Sequence, residues 1–153
     1  MAAGVKYQVD GWGTGQIWLD GETLLWHELP SGTAAAPVVP DNELALRFQS
    51  FFAGARPDFS DVELDLEGYT PFQRAVVDAL RRVPYGEVVT YGELAALAGY
   101  PNAHRATGSV CAHNRFPLVV PCHRVVSATG IGGYGASGVE VKRRLLGLEG
   151  VSL

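Results

Sequence analysis

TPFQRAVVDALRRVPYGEVVTYGELAALAGYPNAHRATG, residues 70–108, holds three helix openings in succession and decides the fold of the second half of the chain. Thr70 is an N-cap residue, and Pro71 behind it suits the first helical position, where a missing N–H costs nothing. Phe72, Val76, Val77 and Leu80 fall on one stripe, so the spacing predicts an amphipathic helix that ends before VPYGE (83–87). Thr90 with Glu93 three residues on is a capping box for a second helix, with Leu94 and Leu97 expected inward and Gly99 closing it. Asn102 is the expected cap of a third, AHRATGSVCAH (103–113). Two short helices joined by a tight glycine turn predict a helix-turn-helix, a pattern that any small helical bundle would share.

The third helix is unusual in composition. Ala103, Ala106, Thr107, Gly108 and Ser109 cluster on it, and an interior glycine costs about 1 kcal/mol relative to alanine. Close packing against protein, or close approach to a DNA backbone or groove floor, would offset that cost. Arg105 is the one long cation among these small residues. It is either half of a surface salt bridge or a finger able to enter a base stack from a helix lying on a duplex.

Upstream, residues 5–29 alternate polar and apolar around GWGTG and LDGET, which predicts two or three short antiparallel strands, with Asp20-Gly21 as a hairpin cue. SGTAAAPVVP (31–40) reads as a connector. From Asp41, Leu44, Phe48 and Phe51 have helical spacing and Gly54 is a stop, and 55–69 reads as an extended crossing segment. No chemical motif occurs in residues 1–65, and the chain has no internal repeat.

The 153 residues carry a net charge of −4, unevenly distributed. Residues 1–100 hold six Lys/Arg against fourteen Asp/Glu, and residues 101–153 hold six against Glu140 and Glu149, a net +4. A basic binding face on an acidic body, or a chance cluster of solvated charges, would produce this asymmetry. No apolar run approaches the roughly 20 residues of a membrane span, and MAAGVKYQVDGWG lacks a signal-peptide layout, so the expected location is cytoplasmic with no membrane partner. Two cysteines are too few for a disulfide scaffold, and the four histidines show no metal-ligand spacing, so no metal is expected.

PLVVPCHRVVSATGIGGYG (117–135) sets Cys122 and His123 side by side between β-branched residues. The thiol is expected at the end of, or within, a buried extended segment. Burial alone leaves a thiol protonated, so reactivity requires a nearby cation or donor. His123 is the candidate base, although adjacent side chains on a strand point to opposite faces; a turn after Pro121 or a bridging water would connect the two. Glu149, set among Leu145, Leu146 and Leu148, is the candidate carboxylate to orient the imidazole. A buried small hydrophobe beside a satisfied polar group is the plain alternative.

PCHRVV, the glycine/tyrosine loop after it, KRRLLGLEG (142–150) and the helical stretch 70–108 together resemble the O6-alkylguanine-DNA alkyltransferases, also called methylated-DNA-protein-cysteine methyltransferases, from about Leu66 to Gly150. The resemblance implies an α+β fold. A small N-terminal lobe with an antiparallel, ribonuclease H-like sheet (residues 1–65) would precede a mainly helical DNA-binding and alkyl-acceptor domain with a helix-turn-helix (66–153). It implies a monomer that binds double-stranded DNA through the minor groove, flips out O6-alkylguanine and takes the alkyl group irreversibly, without a cofactor or metal. By position, Cys122 would be the acceptor, His123 the water-linked base and Glu149 its orienter. Asn114 would brace the preceding loop, and Tyr91 would help turn the phosphate and protonate the leaving guanine. Arg105 would fill the vacated stack, with Ala103, Ala106, Gly108, Ser109, Thr90 and Tyr91 along the DNA. The backbone around Val125, with Tyr134 and Gly135, would finish the pocket.

The chain departs from the family pattern in three respects. Arg115 follows Asn114 where proline is usual, His104 stands where a small residue is common, and the zinc-binding cysteines of some relatives are missing. Cys111 is expected to pack rather than accept. A lesion-binding alkyltransferase-like protein is the alternative, but such proteins typically carry tryptophan at the acceptor position. An unrelated Cys-His hydrolase leaves the third helix without a purpose, and a simple helix-turn-helix regulator does not need the thiol.

Overall fold

The computed structural model describes residues 1–33 and 40–153, so positions 34–39 of the expected connector lie outside the described residues. The chain forms two compact units, Met1–Asp65 with Arg115–Pro117, and Leu66–Asn114 with Leu118–Leu153. The architecture is α+β: a three-stranded antiparallel sheet and one helix in the first unit, four helices and a two-stranded parallel pair in the second.

In the first unit β1 (Ala2–Val9), β2 (Gly13–Asp20) and β3 (Thr23–Ser31) form the sheet in sequence order. Asp20 pairs with Thr23, so the hairpin turn is Gly21-Glu22 and Asp20, expected in the turn, is the last strand residue. Asn42, rather than Asp41, caps α1 (Glu43–Phe52) by accepting from the Ala45 amide. That helix buries Leu44, Ala45, Phe48, Phe51 and Phe52, the burial its apolar stripe anticipates. The segment after it runs beside β3 only at Leu64, through a single bridge to Leu24.

His27 sits in this core, stacked on Phe48 at 3.9 Å between ring centres, with one nitrogen 2.6 Å from the Tyr7 hydroxyl and the other 2.7 Å from the Pro117 carbonyl oxygen. Burial lowers its pKa to about 4, against the opposing pull of the Pro117 carbonyl. Below the ordinary histidine pKa the unfolded chain takes up a proton that the folded chain refuses, so this contribution is fully present above about pH 6.5 and lost as pH falls toward 4, amounting to about 3 kcal/mol. All three tryptophans, Trp12, Trp18 and Trp26, belong to this unit. The urea midpoint read by their fluorescence is therefore expected to fall between pH 7 and pH 5, and His27→Gln to flatten that dependence.

In the second unit Thr70 and Gln73 form a capping box for α2 (Pro71–Arg81), which buries Val76, Val77, Ala79 and Leu80. The Thr90–Glu93 box opens α3 (Tyr91–Leu97). Leu94 is fully buried, whereas Leu97, expected inward, is 60% exposed; a seven-residue helix presents too short a stripe to bury both ends. A turn leads to α4 (His104–Ala112), which packs on α3 as a helix-turn-helix. Asn102 does not cap α4. It has φ +74°, Ala103 occupies the cap position, and the helix start has no side-chain cap. The parallel pair β4 (Val89–Thr90) and β5 (Val125–Val126) joins the entry of α3 to the segment after the cysteine.

The last helix, α5 (Val139–Leu148), ends at Glu149 with the Val151 amide donating to Leu146 and the Gly150 amide to Gly147. That Schellman geometry needs a left-handed residue after the cap. Gly150, at φ +82°, supplies it and so fixes where the Glu149 carboxylate stands.

Candidate active site

The run LVVP (118–121) does not continue as a strand through the cysteine. Pro121 has φ −79° and ψ 64°, and the Cys122 amide donates to the Val120 carbonyl at 2.8 Å. This is an inverse γ-turn. It leads into a single 3₁₀ turn, Cys122–Arg124, closed by the Arg124 amide on Pro121. Three residues per turn place successive side chains about 120° apart rather than on opposite faces. The expected extended setting of Cys122 is therefore replaced by a turn, in which neighbouring thiol and imidazole no longer point to opposite faces.

His123 Nε2 lies 2.6 Å from Glu149 Oε2, both side chains being buried. Arg124 donates to both oxygens of the same carboxylate, through Nε at 2.9 Å and 3.2 Å and Nη2 at 2.9 Å, and its Nη1 donates to the Val83 carbonyl. The Gly86 amide donates to Oε1 at 2.9 Å, and Tyr85 Oη to the Leu148 carbonyl. Burial pushes the Glu149 pKa up, but the hydrogen bonds from His123 and Arg124 outweigh it and bring the pKa down to about 2. Burial holds His123 below its ordinary pKa despite that carboxylate. A neutral ring donating from Nε2 to an ionised Glu149 leaves Nδ1 as its lone-pair nitrogen. Arg124 was not among the residues singled out from the sequence, although two oxygens beside a guanidinium make the pairing Glu149 requires.

Cys122 is buried, 6% exposed, with Sγ 3.1 Å from Asn114 Nδ2. The same amide group donates to the Val120 carbonyl at 2.8 Å, so Asn114 braces the γ-turn and the sulfur at once. Burial raises the thiol pKa; Asn114, the Tyr134 hydroxyl and the Lys142 ammonium pull it down without reversing the shift. In this state the sulfur carries its proton.

The sulfur opens on a cavity of about 110 Å³ lined by Tyr91, Gly108, Cys111, Ala112, Cys122 and Gly133–Gly135. Tyr91, Gly108, Tyr134 and Gly135 are thus brought together with the thiol. Val125, whose surrounding backbone is expected to finish the pocket, is fully buried beside β4, and its carbonyl accepts from Lys142. Gly135 must be small: a Cβ there would lie 2.8 Å from the Ala112 carbonyl oxygen, and φ is +51°. Cys111, expected only to pack, is half-buried on the cavity wall with its thiol pushed by burial up to about 12. Burial, with the charges of Cys111 and Cys122, raises the Tyr91 pKa, which keeps its phenolic proton through neutral pH.

Arg105, Gly108 and Ala112 form one stripe of α4. Arg105, Ala106 and Ser109 are exposed, Ala103 and Gly108 partly so. Arg105 makes no ion pair or hydrogen bond with the described residues. Thr90 is engaged at its hydroxyl as the cap of α3. Among the described residues no group of three or more His, Cys, Asp or Glu is placed to hold a metal ion, and no helix is long and apolar enough to cross a membrane.

A thiol on a cavity walled by the second helix of a helix-turn-helix, next in sequence to a buried imidazole–carboxylate pair, combines a group of nucleophile type with a motif common to nucleic-acid-binding proteins. Residues 71–151 match the model of the 6-O-methylguanine DNA methyltransferase DNA binding domain. A methylated-DNA–protein-cysteine methyltransferase of Mycobacterium tuberculosis is 49% identical over 104 residues, 67% of this chain and 61% of that protein. The constitutive methylated-DNA–protein-cysteine methyltransferase of Bacillus subtilis is 39% identical over 136 residues, 88% of this chain and 78% of that protein. The crystal structure of Mycobacterium tuberculosis OGT in complex with DNA superposes with a TM-score of 0.78 at 38% identity, covering 95% of this chain and 92% of that one. The chain belongs to the O6-methylguanine-DNA methyltransferase family.

Removing the charge at Glu149 leaves Arg124 and His123 without their acceptor in a buried setting. Glu149→Gln is expected to cost about 3 kcal/mol of stability at pH 7, by urea unfolding followed by circular dichroism. A carboxylate with a depressed folded pKa stabilises above its unfolded pKa and loses that contribution as pH falls through about 2. The deficit is therefore expected to stay constant from pH 8 to pH 5.

Proposed function

We propose that this chain repairs O6-alkylguanine in double-stranded DNA by moving the alkyl group onto Cys122 Sγ, once per molecule. The observation that carries the reading is the acceptor-type sulfur opening on a cavity that shares a wall with α4 of the helix-turn-helix. Residues 66–153 act as the DNA-binding and acceptor domain and residues 1–65 as a separate lobe. The protein acts as a monomer in the cytoplasm and uses no cofactor.

A guanine in the duplex is out of reach of a buried sulfur, so the nucleotide must be extruded at a cost of a few kcal/mol. Arg105, exposed on the cavity stripe of α4, fills the gap, while the small residues Ala103, Ala106, Gly108 and Ser109 let the helix approach the groove. His123 is committed through Nε2 to Glu149, so the nitrogen that takes the thiol proton, through a water, is Nδ1. The sulfur attacks the alkyl carbon in line, and the C–O6 bond breaks. Tyr91, still a phenol at neutral pH, protonates the leaving guanine. The resulting thioether offers no easy leaving path, which ends the reaction after one event.

Incubation with duplex DNA containing O6-methylguanine is expected to add one methyl mass to the Cys122 peptide, with a stoichiometry that does not exceed one. Repeated turnover, or a methyl on Cys111 alone, contradicts the proposal, and binding of the lesion without transfer identifies a lesion-binding protein instead. Cys122→Ala is expected to abolish transfer and leave duplex affinity intact. Arg105→Ala is expected to slow transfer from duplex roughly tenfold and leave transfer from free O6-benzylguanine nearly unchanged, because only the duplex must be opened. Equal losses on both substrates remove the finger role.

A further inference from the structure

Lys142 is a cation in an unfavourable place. It lies in the first turn of α5, where the helix dipole disfavours positive charge, and its side chain is fully buried. A methionine or leucine would fill that space at less cost. Its ammonium donates to the Val125 carbonyl at 2.5 Å and the Gly133 carbonyl at 3.0 Å. Val125 leaves the acceptor turn, and Gly133 precedes Tyr134 on the cavity wall. The ammonium also lies 5.9 Å from the centre of the Tyr91 ring.

We infer that Lys142 is a positioning residue for the acceptor: its buried ammonium ties the exit of the Cys122 turn to the Tyr134 loop and presents a fixed positive charge to the sulfur. The inference rests on the reading of Cys122 as the acceptor. The titratable groups around the sulfur are Tyr91 on α3, Cys111 on α4, His123 beside it in the 3₁₀ turn with Glu149 behind the imidazole, Tyr134 on the loop and Lys142 on α5. The Tyr134 hydroxyl favours a thiolate as a hydrogen-bond donor only, whereas ionised Tyr91 or Cys111 would oppose it, so Lys142 is the group among these that favours it through charge. The coupling is reciprocal: burial holds the lysine pKa down, and the charges of Cys122 and Cys111 push it up. Its positive charge also disfavours protonation of His123, which helps keep the base free for the thiol proton.

The two roles, pin and charge, separate by substitution. Lys142→Gln keeps an amide donor and drops the charge, whereas Lys142→Arg keeps a cation. Iodoacetamide alkylation of the folded protein, followed from pH 6 to pH 10 on the Cys122 peptide, is the readout. In Lys142→Gln the inflection is expected to rise by about one unit, slowing alkylation at pH 7 about tenfold, with Lys142→Arg recovering most of it. A Lys142→Gln profile that superimposes on the wild type overturns the proposal. A second arm needs no variant, because the chain has only two lysines, exposed Lys6 and buried Lys142. With 13C-lysine NMR, capping Cys122 with iodoacetamide is expected to lower the Lys142 titration midpoint and leave Lys6 in place; an unmoved midpoint is equally fatal. Neither arm uses DNA. A protein that passes both and takes no methyl from O6-methylguanine duplex fails the alkyl-transfer reading alone.

Discussion

The second unit is organised around one buried negative charge. The Glu149 carboxylate receives His123, two nitrogens of Arg124 and the Gly86 amide. Those donors come from the 3₁₀ turn of the acceptor and from the Tyr85-Gly86 turn after α2, so a single acceptor group holds the end of α5 to both. An unpaired carboxylate in that position would be untenable. The same pairing keeps the imidazole in one orientation and one tautomer, so the stability of the unit and the readiness of the base are one arrangement.

The sulfur of Cys122, the proposed acceptor, is held as a thiol rather than a standing thiolate. Burial raises its pKa, and the donors around it only moderate that shift. A thiol protonated at rest is protected from casual oxidation, because the thiolate is the reactive form. Under the proposed single alkyl transfer, deprotonation coupled to substrate arrival is a better arrangement than a standing thiolate. The neutral His123 ring, with Nε2 engaged, is the base in the proposed coupling.

The proposed recognition and the proposed chemistry share a helix. One stripe of α4 carries Arg105 exposed at one end and Gly108 and Ala112 on the cavity wall at the other. Gly135 brings the tyrosine loop against the Ala112 carbonyl on the opposite side, at a distance that no larger residue allows. Under the proposed function, a base displaced by the arginine has only a short path to the sulfur.

Much of this was legible in the sequence because it is encoded locally. The capping boxes at Thr70 and Thr90, the stripe of α2 and the antiparallel hairpins depend on residues within a few positions of one another, and the pairing of His123 with Glu149 follows from the scarcity of acids after residue 100. The misreadings fell where local rules compete with context: Asn102 adopts a left-handed backbone instead of capping, and Leu97 stays exposed. The γ-turn at Pro121, the bidentate Arg124, the placement of Cys111 on the cavity wall and the burial of Lys142 against two carbonyls were decided only by tertiary structure. Each brings together groups from separate segments, and sequence pattern carries no term for the desolvation and hydrogen bonding that settle such encounters.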